Sequence, residues 1–486
     1  MASARVRIAA HFLPWARWRP IWLLLGLSVL VGAATANAPV VAWLVIAATT
    51  GIVLLQMPVE AWVWGAVLLS VGSRLAVATG MVPQIVNFLH FPLALGAALV
   101  AAVNRGDVQA RLRSKLALGL TGLLAVSLGS WVANGGEMIR PILAWLVFAE
   151  PFLLVYAILK TRGGPRGQRR LLSLLMTLAF IQLPLAVWQF RTLGLGDPVQ
   201  GTFVGLGAGA HVAGAVALLG TMVLVARVAS RGSRSGLPVL LLGGSALAIV
   251  SFLADAKQAF AAFLAGAMYL VWTSGFYGRG KFLLLPVLVL GGAALATSSF
   301  PAFGQIFNVR LLHEGASGKI SAYGIISGGG LTPRTLLGLG PGNSVSRVSL
   351  MGVESYVKPQ SPVSLLGLTP APATQEILAL AQSNWLIASS SAWSGISSWL
   401  GLFGDLGLIG VAVYLWMCMH IWRTLGQVRT WQSQAARASL VMAALLGGIY
   451  SWLEEPGFTM MVALLVGLAL ISSHDGYSTT HRPARP

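Results

Sequence analysis

Residues 204–226 read VGLGAGAHVAGAVALLGTMVLVA and contain no Asp, Glu, Lys or Arg. A helix of roughly 17–25 predominantly apolar residues crosses the hydrocarbon core of a bilayer. Comparable runs recur along the 486-residue chain, which is 56% hydrophobic and 9% charged. Backbone groups in lipid must be satisfied internally, and the runs are continuous rather than alternating, which excludes a β-barrel. The sequence therefore predicts an all-α, polytopic membrane protein.

The apolar runs predict about 14 transmembrane helices. We place them at 19–36, 39–56, 61–80, 83–103, 116–134, 140–160, 171–190, 204–226, 237–254, 258–276, 281–299, 395–418, 436–453 and 457–473. Residues 300–394 form the one long gap, which is rich in Gly, Ser and Pro but keeps apolar stretches that argue against disorder. We expect helices 1–11 within 1–299, a large exterior loop at 300–394 whose short helices cap a site, and helices 12–14 with a tail within 395–486.

Basic residues divide into two groups by position. Most of the 32 Lys and Arg lie in the termini or in alternate short loops, which places both termini in the cytoplasm by the positive-inside rule. Their dispersion beside apolar spans accounts for much of the net charge of +19 and excludes nucleic acid as a partner, leaving membrane lipids. The remaining basic residues fall in or near the exterior face: Arg74, Arg140, Arg191, Lys257, Arg310, Lys319, Arg334, Arg347 and Lys358.

Two short exterior segments combine a cation with glycine or a tight turn. Residues 188–191 read WQFR and precede a Gly-rich stretch, so Arg191 either snorkels to lipid phosphate or binds an anionic ligand with its planar fork. Residues 254–258 join two spans, and there Asp255 and Lys257 form either an interfacial ion pair or part of a substrate site.

Two glycine-containing segments follow later in the chain. Residues 337–343 read LGLGPGN between Arg334 and Arg347, a composition suited to an oxyanion or phosphate cradle. Residues 403–410 read FGDLGLIG, where small residues permit close helix packing and Asp405 requires a partner such as an exterior cation. The loop before this helix also contains Arg310, His313, Glu314, Lys319 and Glu354.

Several other polar residues in apolar runs have structural interpretations. Glu150 either pairs with a base or orients an arginine. The simplest interpretation of Arg74 and His90 is that they pair with polar groups inside the helix bundle. Glu454 and Glu455 are interpreted as a helix-end or solvated pair. The histidines are scattered and no metal-binding motif is present, so we expect no metal and no cofactor.

The order of these segments resembles that of the bacterial O-antigen ligase and polysaccharide polymerase superfamily. Residues 189–203 are similar to its glutamine and Gly-Thr-Phe stretch, and residues 255–257 to its short basic turn. Residues 337–343 are similar to its glycine-rich loop motif, and residues 404–410 to its acid–Leu–Gly helix. The resemblance covers roughly residues 130–415 and implies an integral-membrane glycosyltransferase of the C type.

The resemblance also implies a reaction. Family members transfer a glycan from undecaprenyl diphosphate with inversion and without a metal, and exterior cations hold the diphosphate. Arg191 and Lys257 would fill that role, with Lys257 standing where ligases often carry arginine. Ligases commonly place a histidine just before the acid–Leu–Gly helix, whereas residues 389–398 contain none, which favours a polymerase.

Our first hypothesis is a polymerase that joins undecaprenyl-diphosphate-linked repeat units on the periplasmic face of the bacterial inner membrane. Expected partners are the lipid-linked donor and acceptor, a chain-length regulator and a flippase. A ligase acting on lipid A core or protein is the alternative, and a transporter of lipid-linked glycans the third. Cations assigned to the diphosphate are Arg191, Lys257 and Arg334, supported by Arg140, Arg310, Lys319 and Arg347. Candidates for the base that activates the acceptor hydroxyl are His313, Glu314, Glu354 and His211.

Overall fold

A computed structural model describes most of the chain after residue 56. The described residues are 57–103, 109–161, 165–205, 209–231, 238, 240–273, 309–328, 330, 332–353, 366–383, 396–428 and 430–480. The chain divides into two units, Met1–Trp62 and Val63–Pro486, and only six residues of the first are described. The predicted spans at 19–36, 39–56 and 281–299 lie outside the described residues.

Every regular element among the described residues is helical. The α-helices are α1 (Val59–Ala78), α2 (His90–Val103), α3 (Ala110–Asn134), α4 (Arg140–Ile158), α5 (Pro165–Phe180), α6 (Gln182–Leu193), α7 (Gly209–Arg231), α8 (Ser245–Leu253), α9 (Lys257–Thr273), α10 (Val309–Ser327), α11 (Pro333–Leu337), α12 (Arg347–Leu350), α13 (Pro372–Ser383), α14 (Ser398–Gly426), α15 (Trp431–Ile449) and α16 (Pro456–Thr480). Short 3₁₀ turns lie at Gln84–Phe88 and Trp452–Glu454, and a π-helical turn lies at Leu240–Gly244.

Six described segments are long and apolar enough to cross a membrane. They are Val59–Ala78, Ala110–Asn134, Arg140–Ile158, Pro165–Leu193, Gly209–Val228 and Ser398–Gly426. The all-helical class is therefore confirmed for the described residues, and the chain has the character of a membrane protein. The count of about 14 spans and the exterior position of residues 300–394 stay predictions.

Small residues bring the helices together where they pack most closely. A Cβ on Gly266 in α9 would lie 2.7 Å from the carbonyl oxygen of Ala438 in α15. Gly119 in α3 accommodates the side chain of Met417 in α14 in the same way. Glycines permit such approaches because they have no side chain. Close van der Waals contact of this kind stabilises helix association in a membrane, where lipid provides no hydrophobic driving force between helices.

Residues 338–350, here termed the inserted segment, are built into the bundle rather than laid over it. Val348 packs with Phe91 of α2 and with Ala144 and Val147 of α4. On its other side, Val345 and Leu350 join a cluster formed with residues of α10 and α14. Much of this segment is therefore part of the core, and the expectation of short helices in residues 300–394 that cap a site stays a prediction.

Helix α14 is interrupted at a single glycine. Gly407 has φ 65° and ψ −169°, so the helix consists of two pieces joined at that residue. A Cβ at Gly407 would overlap the carbonyl oxygen of Leu336 in α11. The interruption allows α11 and the turn after it to approach the backbone of α14, which positions the candidate site.

Candidate functional site

Five charged residues meet where the inserted segment joins the helix ends. Arg74 comes from α1, Arg347 from α12 and Asp405 from α14, while Glu454 and Glu455 lie between α15 and α16. We call these five residues the junction cluster. Charged groups at such a position are expensive to bury, which makes their arrangement informative about function.

Glycines bring the segments at 337–343 and 403–410 into direct contact. The backbone N–H of Leu339 donates to the carbonyl oxygen of Gly404 at 2.6 Å. Gly338 has φ 81°, and a Cβ there would lie 2.6 Å from the carbonyl carbon of Asp405. The hydroxyl of Ser130 in α3 donates to the carbonyl oxygens of Leu337 and Asp405 at 2.5 and 2.9 Å. The turn is therefore tied by backbone hydrogen bonds and carries no side chain that would prevent the approach.

Asp405 is fully buried and is held by a serine rather than by the cation that we expected. Its Oδ1 accepts from the Ser344 hydroxyl at 2.6 Å and from the Ser344 backbone N–H at 3.2 Å. Its Oδ2 accepts no hydrogen bond from any described residue. Two donors on one oxygen satisfy only part of the capacity of a carboxylate, which has about four acceptor sites.

Glu454 holds the start of α12. Its Oε2 accepts the backbone N–H of Arg347, and the Arg347 guanidinium donates to the Glu454 carbonyl oxygen at 2.8 Å. Its Oε1 lies against Gly401 and accepts no hydrogen bond from the described residues. Burial raises the pKa of Glu454 to about 8, with a further increase from the charge of Asp405. At neutral pH this carboxyl therefore carries a proton.

Glu455 has the opposite character because two guanidiniums surround it. Arg74 donates to both of its carboxylate oxygens, at 2.9 and 2.7 Å, and Arg347 lies 3.8 Å from Oε2. Although burial acts to raise the pKa of Glu455, the charges of Arg74 and Arg347 outweigh it and lower the pKa. Adjacent glutamates thus differ in protonation state, as environment dictates.

A buried pair of a histidine and a glutamate extends the cluster of polar residues to α2 and α4. His90 Nδ1 lies 2.5 Å from Glu150 Oε1, and both side chains are almost fully buried. Glu150 is also close enough to Arg347 for their charges to interact. The sequence left open whether Glu150 pairs with a base or orients an arginine, and the structure shows the pairing directly.

Arg140 fixes the glycine-rich turn. Its guanidinium donates to the Gly342 carbonyl oxygen at 2.6 Å, to Asn343 Oδ1 at 2.7 Å and to the Thr369 carbonyl oxygen at 2.5 Å. It also pairs with Glu137. Burial acts to raise the pKa of Glu137, but the Arg140 ion pair lowers it to about 2. With these donors engaged by protein oxygens, Arg140 is placed to organise the turn.

Residues 188–203, here called the first motif, are built around a buried glutamine. Gln189 Oε1 accepts the backbone N–H groups of Gln200 and Gly201 at 2.8 and 2.7 Å, and its Nε2 donates to the Gly201 carbonyl oxygen at 3.0 Å. Gln182 repeats the arrangement with Thr202. Both glutamines therefore shape the stretch that leads into α7.

The turn at residues 254–258, here called the second motif, lies beside the first motif. The Gly196 backbone N–H donates to the Leu253 carbonyl oxygen at 2.9 Å, which joins the two turns. Lys257 pairs with Asp255 at 2.8 Å, and 19% of the lysine side chain remains exposed. His211 lies within electrostatic range of both, and its Nδ1 has no hydrogen-bond partner among the described residues.

The other predicted residues are exposed, partly buried or outside the described residues. Arg191 and Arg334 are exposed. Lys319 donates to the Ile449 carbonyl oxygen at 2.9 Å, and burial lowers its pKa to about 8. Outside the description lie the side chains of Arg310, His313 and Glu314, and residues Glu354 and Lys358. Within the described residues no group of three or more His, Cys, Asp or Glu could hold a metal ion.

Sequence reasoning underestimated Glu454, Glu455 and Arg74. Their importance depends on a pairing across 381 positions of sequence, which no local pattern reveals. Two adjacent acids at the end of an apolar run were the available signal, because charge at that depth needs a partner. Comparison with known proteins supplies no further guide, because no protein family matches the sequence and no curated protein matches it either.

Proposed function

We propose that the protein is a metal-independent, inverting glycosyltransferase that polymerises undecaprenyl-diphosphate-linked repeat units. It acts on the periplasmic face of a bacterial inner membrane, with both termini in the cytoplasm. The acceptor hydroxyl attacks C1 of the donor sugar, the bond from C1 to the diphosphate oxygen breaks, and the hydroxyl proton passes to a base. The diphosphate leaves with the electron pair of the broken bond.

The junction cluster is the observation that supports this proposal best. The Arg347 side chain is 25% exposed and the Arg74 side chain is 16% exposed. Both approach Glu455 from different elements, which fixes two cations in one place. Fixed cations stabilise the charge that develops on a leaving diphosphate, and guanidinium pairs with phosphate in a planar fork.

A second set of cations lies on the same part of the fold. Lys257 is partly exposed beside Asp255, and Arg191 is exposed at the end of α6. Phe203, at the end of the first motif, packs against Gly457, two residues after Glu455. The first motif and the junction cluster therefore share the start of α16, a suitable arrangement for a donor and an acceptor that each carry a lipid diphosphate.

Chain extension by purified variants tests the proposal. Arg347→Ala, Lys257→Ala and Arg191→Ala should each reduce the rate at least about 10²-fold, because each removes a cation from the diphosphate. Arg347→Lys should retain part of the rate by keeping the charge without the fork. Arg169→Ala, at an exposed arginine on the opposite end of the bundle, serves as the control and should behave as wild type. Normal polymer length in the three alanine variants would exclude the assignment.

The acceptor distinguishes the related activities. The enzyme in liposomes would be given lipid-linked repeat units alone, and the products separated by size on a gel. A ladder of longer products indicates a polymerase. Transfer that occurs only after addition of lipid A core or an acceptor protein indicates a ligase. Movement of intact lipid-linked glycan between leaflets without any new glycosidic bond indicates a transporter.

A further inference from the structure

Two unpartnered carboxylate oxygens lie in one buried region of the junction cluster. Asp405 is 0% exposed and Glu454 is 2% exposed. Each uses one oxygen to accept donors from the inserted segment, and each leaves its other oxygen without a hydrogen bond to the described residues. A buried carboxylate oxygen without a donor is costly, because water cannot reach it to compensate.

The two carboxyls lie on either side of Gly401. A Cβ on Gly401 would be 3.1 Å from Glu454 Oε1 and 3.0 Å from the Cα of Ser346. The Ser344 hydroxyl contacts the Gly401 carbonyl oxygen and also donates to Asp405. Asp405 follows Gly401 by one helical turn, on the same face of α14. The carboxyls are thus near enough to interact as like charges, and the charge of Asp405 does affect Glu454.

The surrounding cations are engaged elsewhere. Arg74 and Arg347 both face Glu455, and Lys319 donates to the Ile449 carbonyl oxygen. Neither Asp405 nor Glu454 forms an ion pair through its carboxyl group with a described cation. The remaining titratable groups that face this region are His90 on α2, Glu150 on α4 and Tyr414 on α14.

We propose that Asp405 and Glu454 form a proton-binding site that holds one proton at neutral pH, carried on the unpartnered Oε1 of Glu454. The Asp405 carboxylate accepts two hydrogen bonds from Ser344, which favour its charged form, whereas the Glu454 carboxyl accepts one through Oε2. The proton is therefore assigned to Glu454, and Oε1 is the atom free to bear it. Ionising both carboxyl groups in a shared site of low dielectric constant costs a large electrostatic repulsion energy. Binding of one proton removes this repulsion. The site requires no particular reaction and stands apart from the proposed transferase activity.

Infrared spectroscopy of the full-length protein in lipid nanodiscs tests the site by following the C=O stretch of protonated carboxyls from about pH 6 to pH 10. Wild type should lose one carboxyl signal with a midpoint near pH 8, the pKa to which burial raises Glu454. Glu454→Gln should lack this transition, whereas Glu376→Gln, at an exposed acid, should keep it. Persistence of the transition in Glu454→Gln, or its absence from wild type, would overturn the proposal.

A second variant tests the coupling and guards against misfolding of the first. Asp405→Asn removes the neighbouring negative charge, so the midpoint of Glu454 should fall by at least about one pH unit. An unchanged midpoint would show that the two carboxyls are independent. Replacing sodium by choline should leave the wild-type midpoint unchanged. A midpoint that rises when sodium is withdrawn would assign the site to a metal cation instead.

Discussion

At the scale of single residues, Arg140 shows how one guanidinium organises a turn. It binds two carbonyl oxygens, an amide oxygen and a carboxylate that come from three parts of the chain. The sequence predicted Arg140 as a supporting diphosphate ligand. Its bonds to Gly342 and Thr369 depend on residues more than 200 positions away, so only the folded chain reveals this positioning role.

Arg140→Ala should destabilise the protein by about 1–3 kcal/mol, because it leaves the buried Gly342 carbonyl oxygen and the part-buried oxygens of Asn343 and Thr369 without this donor. Arg334→Ala, at an exposed arginine in α11, should change stability by less than about 0.5 kcal/mol. Thermal unfolding in detergent measures both. The Glu137 pKa adds a pH dependence: the ion pair contributes stability above about pH 4.5 that is lost as the pH falls towards about 2. Equal melting temperatures for the two variants would contradict the role given to Arg140.

At the scale of elements, the contact between α11 and α14 depends on the backbone conformation of a glycine. The sequence did indicate close packing around residues 403–410 from their small residues, and the structure shows that packing. Residues 337–343 were interpreted as an oxyanion cradle, and their packing against α14 was not predicted. The sequence did not indicate that Gly407 interrupts α14, because a single glycine inside an apolar run is compatible with a continuous helix. The positive φ of Gly407 occurs where the carbonyl oxygen of Leu336, distant in sequence, lies against it.

Gly407→Ala should therefore destabilise the protein by more than the roughly 1–2 kcal/mol of a left-handed non-glycine residue, since the new methyl group also overlaps the Leu336 carbonyl oxygen. Gly324→Ala in α10 provides a matched control, because no atom lies within 4 Å of its added Cβ. That control should stabilise the helix by about 0.5–1 kcal/mol. Opposite signs in thermal unfolding are expected, and equal shifts would indicate that α11 moves freely away from α14.

At the scale of the whole molecule, the charges of the sequence predict which segments lie on the same side of the membrane. Residues predicted at the exterior face contact one another, as Arg74, Arg140 and the inserted segment show. Arg437 and Arg113, which the sequence predicts at the opposite face, lie over the rings of Trp422 and Tyr156, respectively. The side of the membrane on which each face lies stays a prediction. Charge alternation along the sequence could predict this grouping, because it acts at the scale of the membrane. It could not predict which exterior charges pair, since that depends on tertiary contacts.

Cysteine labelling tests which face is the cytoplasmic one. Cys418 is the chain's one cysteine, so Cys418→Ser gives a background without thiols. In that background Thr192→Cys, exposed after the WQFR sequence, should react with a membrane-impermeant maleimide in intact spheroplasts. Ser114→Cys, exposed at the start of α3, should react only after lysis. The reverse pattern would invert the topology and move the proposed site to the cytoplasm.

The hydroxyl of Ser130 has a consequence for biosynthesis. This hydroxyl donates to carbonyl oxygens of residues that follow Ser130 by 207 and 275 positions in the sequence. During translation, α3 is complete long before either acceptor leaves the ribosome. The Ser130 hydroxyl therefore has both acceptors only after α14 has been synthesised. A chain terminated before Ser398 would leave the glycine-rich turn without the α14 backbone that it packs against. We expect such a chain to be a substrate for quality-control proteases.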